Sequence, residues 1–148
     1  MSLQIAISQL AHAKGLALPS YASEGAAGLD LVAALDHPIT LAPMARVAIP
    51  TGIAVAIPQG FEGQIRARSG RARREGLAMV NAPGTIDSDY RGEIQVLAIN
   101  LGNESIVITR GDRIAQLVVC PVIRVTWSAT DDLDATPRGG SGFGSTGR

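Results

Sequence analysis

Five short segments of this 148-residue chain combine charged or polar side chains with glycine in ways that packing alone does not require. Their residue types suit three kinds of chemistry: binding phosphate, activating a water molecule and stacking on a flat ring. In chain order the segments are 26–31, 68–70, 81–93, 111–117 and 138–147.

The segment Arg68-Ser69-Gly70 suggests a phosphate site at the start of a short helix. We expect Ser69 to be the N-cap, residues 70–75 to be helical and Gly76 to end the helix. The free N–H groups of such a terminus attract anions, and Arg68 would add a charge-assisted fork. Alternatively, Ser69 is only a helix cap and the arginines that follow it form a solvated face.

Segment 81–93 carries two glycines, a proline and two aspartates between apolar runs, which is typical of a hairpin with an elaborated turn. A carboxylate in that turn would be able to act as a general base. Asp87 and Asp89 are two residues apart and would share a face in an extended strand, so their spacing does not choose between them. Both aspartates are also common turn formers.

Asp30 and Gln116 are polar residues within strand-like apolar runs. A buried carboxylate is costly unless it is paired or hydrated, so Asp30 supports a site, caps a strand end or pairs with an arginine. Gln116 shares a side of its strand with Ile114 and needs a hydrogen-bond partner. That partner is a ligand, a water molecule or a neighbouring backbone group.

The glycine-rich C-terminal segment contains Phe143, one of only five aromatic residues in the chain. A disordered tail gains nothing from one phenylalanine, whereas a tail that closes over a flat ligand gains stacking area. Arg138, Ser145 and Thr146 would offer donors to phosphate. The same composition is also that of a flexible linker.

The elements that position these segments show mainly the alternation of period two that is typical of strands. Many short strands separated by Gly, Pro, Asn and Asp indicate an all-β sandwich, jelly roll or barrel with one short helix. The predicted strand regions are 3–7, 28–34, 53–57, 61–68, 93–100, 105–109 and 113–119.

The composition of the chain excludes several classes of function. The formal net charge is zero, which gives no electrostatic case for nucleic acid or an acidic membrane. One cysteine and two histidines make a Cys/His zinc site improbable. The N-terminus does not resemble a signal peptide, and no apolar run approaches the roughly 20 residues of a membrane helix. We therefore expect a soluble, cytoplasmic protein.

The order of the five segments is more specific than any one of them. AAGLDL, RSG, NAPGTIDSDYRGE, GDRIAQL and RGGSGFGSTG together resemble the five ordered motifs of the trimeric dUTPase family, from about Ala26 to the C-terminus. The resemblance implies a distorted, β-clip-like jelly roll over residues 1–130. A flexible arm, residues 131–148, would close over a neighbouring subunit's active site in a homotrimer with shared sites.

The resemblance also implies hydrolysis of dUTP to dUMP and pyrophosphate, which supplies dUMP for thymidylate synthesis and keeps uracil out of DNA. Asp87 matches the residue that activates the attacking water. Mg²⁺ would be held mainly by the three phosphates, with no direct protein ligand. Asp30 would support the ion through water or order the site.

The remaining matched positions would contact the substrate. Tyr90 would pack against the deoxyribose and exclude a 2′-hydroxyl, and Phe143 would stack on uracil. The uracil would be contacted by Asn81 and by the backbone at Gly84, Thr85 and Ile86. Arg68, Ser69 and Gly70 of a second subunit would hold the phosphates, and Gln116 would contact the phosphate region or its waters. The tail of a third subunit would bring Arg138, Phe143, Ser145 and Thr146. Gln95 would be a further substrate contact.

Two other functions fit parts of the same pattern. A dCTP deaminase would share the fold, but the uninterrupted tail motif and the Asp87-Ser88-Asp89-Tyr90 sequence favour dUTP hydrolysis. A non-catalytic nucleotide-binding trimer would not need the intact Asp87.

Overall fold

A computed structural model describes residues 3–143 of the chain, which form eleven strands and one α-helix. A single 3₁₀ turn, Ala11–Ala13, follows the first strand, and the helix α1 is Ser69–Glu75. The strands are β1 (Ala6–Gln9), β2 (Leu29–Val32), β3 (Ile39–Leu41), β4 (Arg46–Pro50), β5 (Ile53–Ala56), β6 (Phe61–Arg66), β7 (Leu77–Met79), β8 (Gly84–Ile86), β9 (Gln95–Asn100), β10 (Ile106–Ile108) and β11 (Arg113–Pro121).

These strands form four small antiparallel sheets. The largest has the order β2-β11-β6-β8, and a three-stranded sheet has the order β4-β9-β7. Two further pairs are β1 with β5 and β10 with β3. The prediction of an all-β fold with one short helix is therefore confirmed.

The alternation along β6 and β11 separates a core face from a polar face. Leu117 pairs with Ile65, and both are almost completely buried, whereas the next pair, Gln116 and Arg66, lies on the opposite face. Fully burying one such aliphatic side chain contributes roughly 1.5–3 kcal/mol. The largest fully buried apolar side chains are Leu31, Ile49, Ile65, Ile94, Ile108 and Val96.

The hairpin predicted for residues 81–93 is wrong. β8 pairs with β6, whereas the returning strand β9 pairs with β4 and β7. The physical reason is that residues 87–94 cross from one sheet to another instead of reversing within one. Asp87 and Asp89 therefore lie in a turn and not on one face of a strand.

The predicted helix is present, but its expected start is displaced by one residue. Arg68 is the N-cap, with an extended backbone and no side-chain capping bond, and Ser69 is the first helical residue. The prediction that Ser69 is the N-cap was therefore wrong, because the backbone is already helical at Ser69. Gly76 ends the helix in the left-handed conformation and donates its N–H to the carbonyl of Ala72, as expected.

Residues 122–143 follow β11 without entering a strand or a helix. Several large apolar side chains of this segment are exposed to solvent, namely Val122, Ile123, Val125, Trp127 and Leu133. Across residues 3–143, no helix has the length and apolar character that crossing a membrane requires.

Candidate active site

Most of the predicted site residues line one of two cavities. The first, of about 510 Å³, is called the arginine cavity and is lined by Asp30, Arg66, Arg68, Ser69, Gly70, Arg71, Arg74, Arg113, Gln116 and neighbouring small residues. The second, of about 240 Å³, is called the Asp87 cavity and is lined by Asn81, Thr85, Ile86, Asp87, Tyr90, Glu93, Gln95 and Leu97. Among residues 3–143, none lines both cavities.

Asp30 holds two arginines at the arginine cavity. Its Oδ1 lies 2.8 Å from Arg68 Nε, and its Oδ2 lies 3.2 Å from Arg113 Nη1. The aspartate side chain is only 18% exposed, so these partners offset the cost of placing a carboxylate in an otherwise apolar strand. The pairing with arginine that was considered for Asp30 is therefore present.

Arg113 reaches this face because β11 contains a bulge. Arg113 pairs with Val32 and Gln116 pairs with Asp30, so three residues of β11 span two residues of β2. In a regular strand, residues three apart point to opposite faces; the bulge places Arg113 on the same face as Gln116. Arg113 was not predicted from the sequence, because no residue pattern in the segment indicates a bulge.

Gln116 is fixed between two backbone segments. Its Nε2 donates to the carbonyl of Ala67 at 2.9 Å. A Cβ at position 28 would clash with its Oε1, which explains the glycine before Leu29. The neighbouring-backbone partner considered for Gln116 is therefore present, and the side chain still lines the arginine cavity.

The arginine cavity is strongly basic. Five arginines and one aspartate line it, and Ser69 and Gly70 add the exposed first turn of α1. The first N–H groups of a helix have no intrahelical acceptor and are free to bind a ligand. The arrangement is chemically suited to a multiply charged anion.

The turn after β8 presents Asp87 to the second cavity. The N–H of Tyr90 donates to the carbonyl of Asp87 at 3.1 Å and closes the turn. Arg91 Nη1 donates to the carbonyls of Ser88 and Tyr90 at 2.7 and 2.8 Å. Asp87 lines the cavity with an exposed side chain, whereas Asp89 does not line it, a distinction that spacing alone did not provide.

Tyr90 folds back over the base of this turn. Its hydroxyl donates to the carbonyl of Glu93 at 2.9 Å, and its ring lies so close to Gly92 that a Cβ there would clash. Asn81 and Gln95 are exposed at the rim, and Gly84 is buried in β8 beside the Asn81 amide. The polar groups of the third segment therefore converge on one small cavity.

Glu93 also lines the Asp87 cavity, although it was not among the site residues predicted from the sequence. Its Oε1 accepts hydrogen bonds from Gly52 N and His12 Nε2, each at 2.7 Å. The partners lie 41 and 81 residues away in the chain, so no local pattern indicates the contact. The only available signal was an acidic residue at the end of the third segment.

Arg138 and Phe143, the predicted tail residues that the structure describes, line neither cavity. Arg138 Nε donates to the carbonyl of Ser141 at 2.9 Å, and Phe143 is completely exposed. The predicted residues Ser145 and Thr146 lie outside the described residues.

Within residues 3–143, no group of three His, Cys, Asp or Glu side chains converges as a metal cage. The carboxylate most closely associated with the arginine cavity, Asp30, already accepts from Arg68 and Arg113. The donor set of this part of the chain therefore favours anion binding over direct metal ligation.

Comparisons with known proteins agree with this geometry. A family model described as dUTPase matches residues 14–147. The deoxyuridine 5'-triphosphate nucleotidohydrolase of Zymomonas mobilis subsp. mobilis is 56% identical over 147 residues, which are 99% of each protein.

Solved structures show the same fold. The dUTPase of Staphylococcus bacteriophage 80alpha, solved as a mutant with dUpNHpp, has a TM-score of 0.86 and 26% identity, covering 99% of this chain and 100% of that one. The dUTPase of phage phi11 of S. aureus, described with a structural Mg(II) ion, has a TM-score of 0.76 at 22% identity, covering 88% of this chain and 98% of that one. The jelly-roll prediction is thereby confirmed.

Proposed function

Because this chain belongs to the dUTPase family, we propose that it hydrolyses dUTP to dUMP and pyrophosphate. The observation that carries the proposal is the Asp87 cavity, where a carboxylate, a tyrosine and an edge strand converge. The arginine cavity of a neighbouring subunit would supply the charge that a triphosphate needs.

Asp87 would act as the general base. It would accept a proton from a water molecule whose oxygen attacks the α-phosphorus in line. The bond from that phosphorus to the bridging oxygen breaks, and pyrophosphate leaves. The turn closed by Tyr90 N and Arg91 supports this role because it fixes the backbone that carries the carboxylate. Phosphoryl transfer of this kind depends on positioning and charge neutralisation and needs no covalent protein intermediate.

Uracil would be recognised by β8 and Asn81. β8 is the edge strand of its sheet, so the backbone groups on its outer side are available to the polar edge of a base. A site built to hydrogen-bond one base leaves polar groups unmatched with another, which gives discrimination. Tyr90 would pack against the deoxyribose, and Gln95 would contact the substrate from the start of β9.

The triphosphate would occupy the arginine cavity, with Arg68, Ser69, Gly70 and Gln116 as its contacts. Mg²⁺ would be held by the phosphate oxygens, and when bound it would supply further neutralisation of their charge. Asp30 would serve this site by ordering Arg68 and Arg113, since both of its oxygens face guanidinium groups.

The active site would be completed in a homotrimer. Two observations support assembly: the two cavities share no residue, and residues 122–133 expose Ile123, Val125, Trp127 and Leu133 by 69–93%. Apolar side chains concentrated in this way indicate a surface that another copy covers. The arm, residues 131–148, would then bring Arg138, Phe143, Ser145 and Thr146 to a neighbouring subunit's site.

The decisive experiment measures pyrophosphate release by the purified chain with Mg²⁺ and dUTP, UTP, dTTP or dCTP. We expect kcat/KM for dUTP to exceed that for each other nucleotide by at least ~100-fold, the scale on which a pocket rejects one added methyl or hydroxyl group. Equal hydrolysis of all four nucleotides, or ammonia release from dCTP, would contradict the proposal.

The oligomeric state is tested separately by light scattering, which should give a mass near three times 15.3 kDa. An active monomer would refute shared active sites.

A further inference from the structure

Glu93 connects the Asp87 cavity to the N-terminal segment of the chain. Its side chain, only 18% exposed, accepts from His12 Nε2 and from Gly52 N through the same oxygen, Oε1. Two donors on one carboxylate oxygen fix both the side chain and the backbone that carries it.

The backbone carbonyl of the same residue accepts the hydroxyl of Tyr90 at 2.9 Å. The tyrosine ring lies over Gly92, where a Cβ would clash with it. The orientation of the ring in the cavity therefore depends on where residues 92 and 93 are held.

His12 and Gly52, the two partners of the Glu93 carboxylate, are themselves held by hydrogen bonds. Arg110 donates through Nη1 to the carbonyl of His12 at 2.8 Å and through Nη2 to that of Lys14 at 3.1 Å. Leu10 N donates to the carbonyl of Gly52 at 2.8 Å. His12 and Gly52 are thus fixed relative to each other, and the 3₁₀ turn Ala11–Ala13 forms a rigid base for the carboxylate.

We infer that Glu93 is a positioning residue for Tyr90, supported by His12 and Gly52, and that it sets the discrimination between deoxyribose and ribose. The inference rests on the proposed function, in which Tyr90 packs against the sugar. Glu93 itself acts through the tyrosine, since its one bonded oxygen is turned to the N-terminal segment.

The backbone just before β9 is held by hydrogen bonds of its own. The position of Tyr90 can therefore be disturbed without unfolding the sheet. Ile94 N donates to the carbonyl of Ile53 at 2.8 Å, and Thr51 Oγ1 donates to the carbonyl of Ile94 at 2.6 Å. These bonds do not involve the Glu93 side chain. Loss of its carboxylate should therefore leave the sheet intact and loosen only the residues that carry Tyr90.

The test compares kcat/KM for UTP with that for dUTP in Glu93→Ala and Glu93→Gln. We expect Glu93→Ala to raise the UTP-to-dUTP ratio roughly tenfold, while Glu93→Gln, which keeps an acceptor oxygen, stays within about twofold of the parent. Glu24→Ala, at an exposed loop position, is the matched control and should leave the ratio unchanged. An unchanged ratio in Glu93→Ala would overturn the inference.

A double variant tests whether Glu93 changes the UTP-to-dUTP ratio through Tyr90. In a Tyr90→Ala background, Glu93→Ala should not change the ratio further, because the group that it positions is gone. A second, independent increase would show that Glu93 does not act through Tyr90. If Glu93→Ala does not fold, His12→Ala decides, with an expected increase of about threefold; an unchanged ratio there would overturn the inference. A parent chain that leaves dUTP intact would instead refute the proposed function.

Discussion

The two cavities are organised by different interactions. In the arginine cavity, side chains hold one another: Asp30 pairs with Arg68 and Arg113. In the Asp87 cavity, side chains are held mainly by backbone groups, as Tyr90 is by the carbonyl of Glu93.

This difference follows from what each cavity would bind. A cluster of guanidinium groups is stabilised by a carboxylate when no phosphate is present, and charge–charge interactions tolerate small displacements. Recognition of a base and a sugar depends on hydrogen-bond geometry, which weakens steeply with angle. A fixed turn suits the second task, and a set of ion pairs suits the first.

The strongest test of this comparison removes the proposed base. Asp87→Asn should lower kcat by at least ~100-fold, the usual scale for a positioned base, while binding of dUpNHpp stays close to that of the parent. Asp89→Asn is the matched control from the same turn and should keep near-normal turnover, because Asp89 does not line the cavity. Near-normal turnover by Asp87→Asn would remove this residue from its role.

A second test adds the tail to the comparison. Phe143→Ala should weaken dUpNHpp binding by roughly 1–3 kcal/mol, the range for stacking of an aromatic side chain on a base. Titration calorimetry with Mg²⁺ would measure the binding free energy of dUpNHpp. The control, Ser141→Ala in the same tail, should bind dUpNHpp as the parent does. Identical affinities for parent and Phe143→Ala would exclude stacking.

The sequence predicted most of the longer strands but few of the shortest. The alternation of apolar residues located β2, β5, β6, β9, β10 and β11, and the predicted region 3–7 overlaps β1. It missed the three-residue strands β3, β7 and β8; β10 is equally short but lies within a longer strand-like run, 105–109. β4 was also missed; it ends at Pro50, and proline is one of the residue types that were taken to separate strands.

Site residues whose role depends on their residue type could be predicted from the sequence. Those whose role depends on the folded geometry were missed. Asp87 could not be separated from Asp89, because only the folded turn places one of them in the cavity. Arg113 depended on a bulge, and Glu93 depended on partners far away in the chain. Contacts of these kinds are properties of the tertiary fold and leave little trace in one sequence.

A smaller effect should follow when the ion pairs of the arginine cavity are broken. Asp30→Asn should raise KM for dUTP about tenfold, because Arg68 and Arg113 lose the charge that orients them; partly buried pairs contribute on this scale. Asp36→Asn, at an exposed position, is the control. A fall in KM would show that Asp30 acts mainly by repelling phosphate, contrary to the role proposed.

The smallest expected effect comes from Gly28→Ala, which tests whether the arginine cavity also needs exact geometry. The added Cβ would clash with Gln116 Oε1 and displace the amide from the carbonyl of Ala67. We expect kcat/KM for dUTP to fall about threefold, the cost of one weakened neutral hydrogen bond. Gly25→Ala is a matched control, since a Cβ there meets nothing within 4 Å. A loss as large as that in Asp87→Asn would mean that both cavities depend on geometry equally, and the contrast between them would not hold.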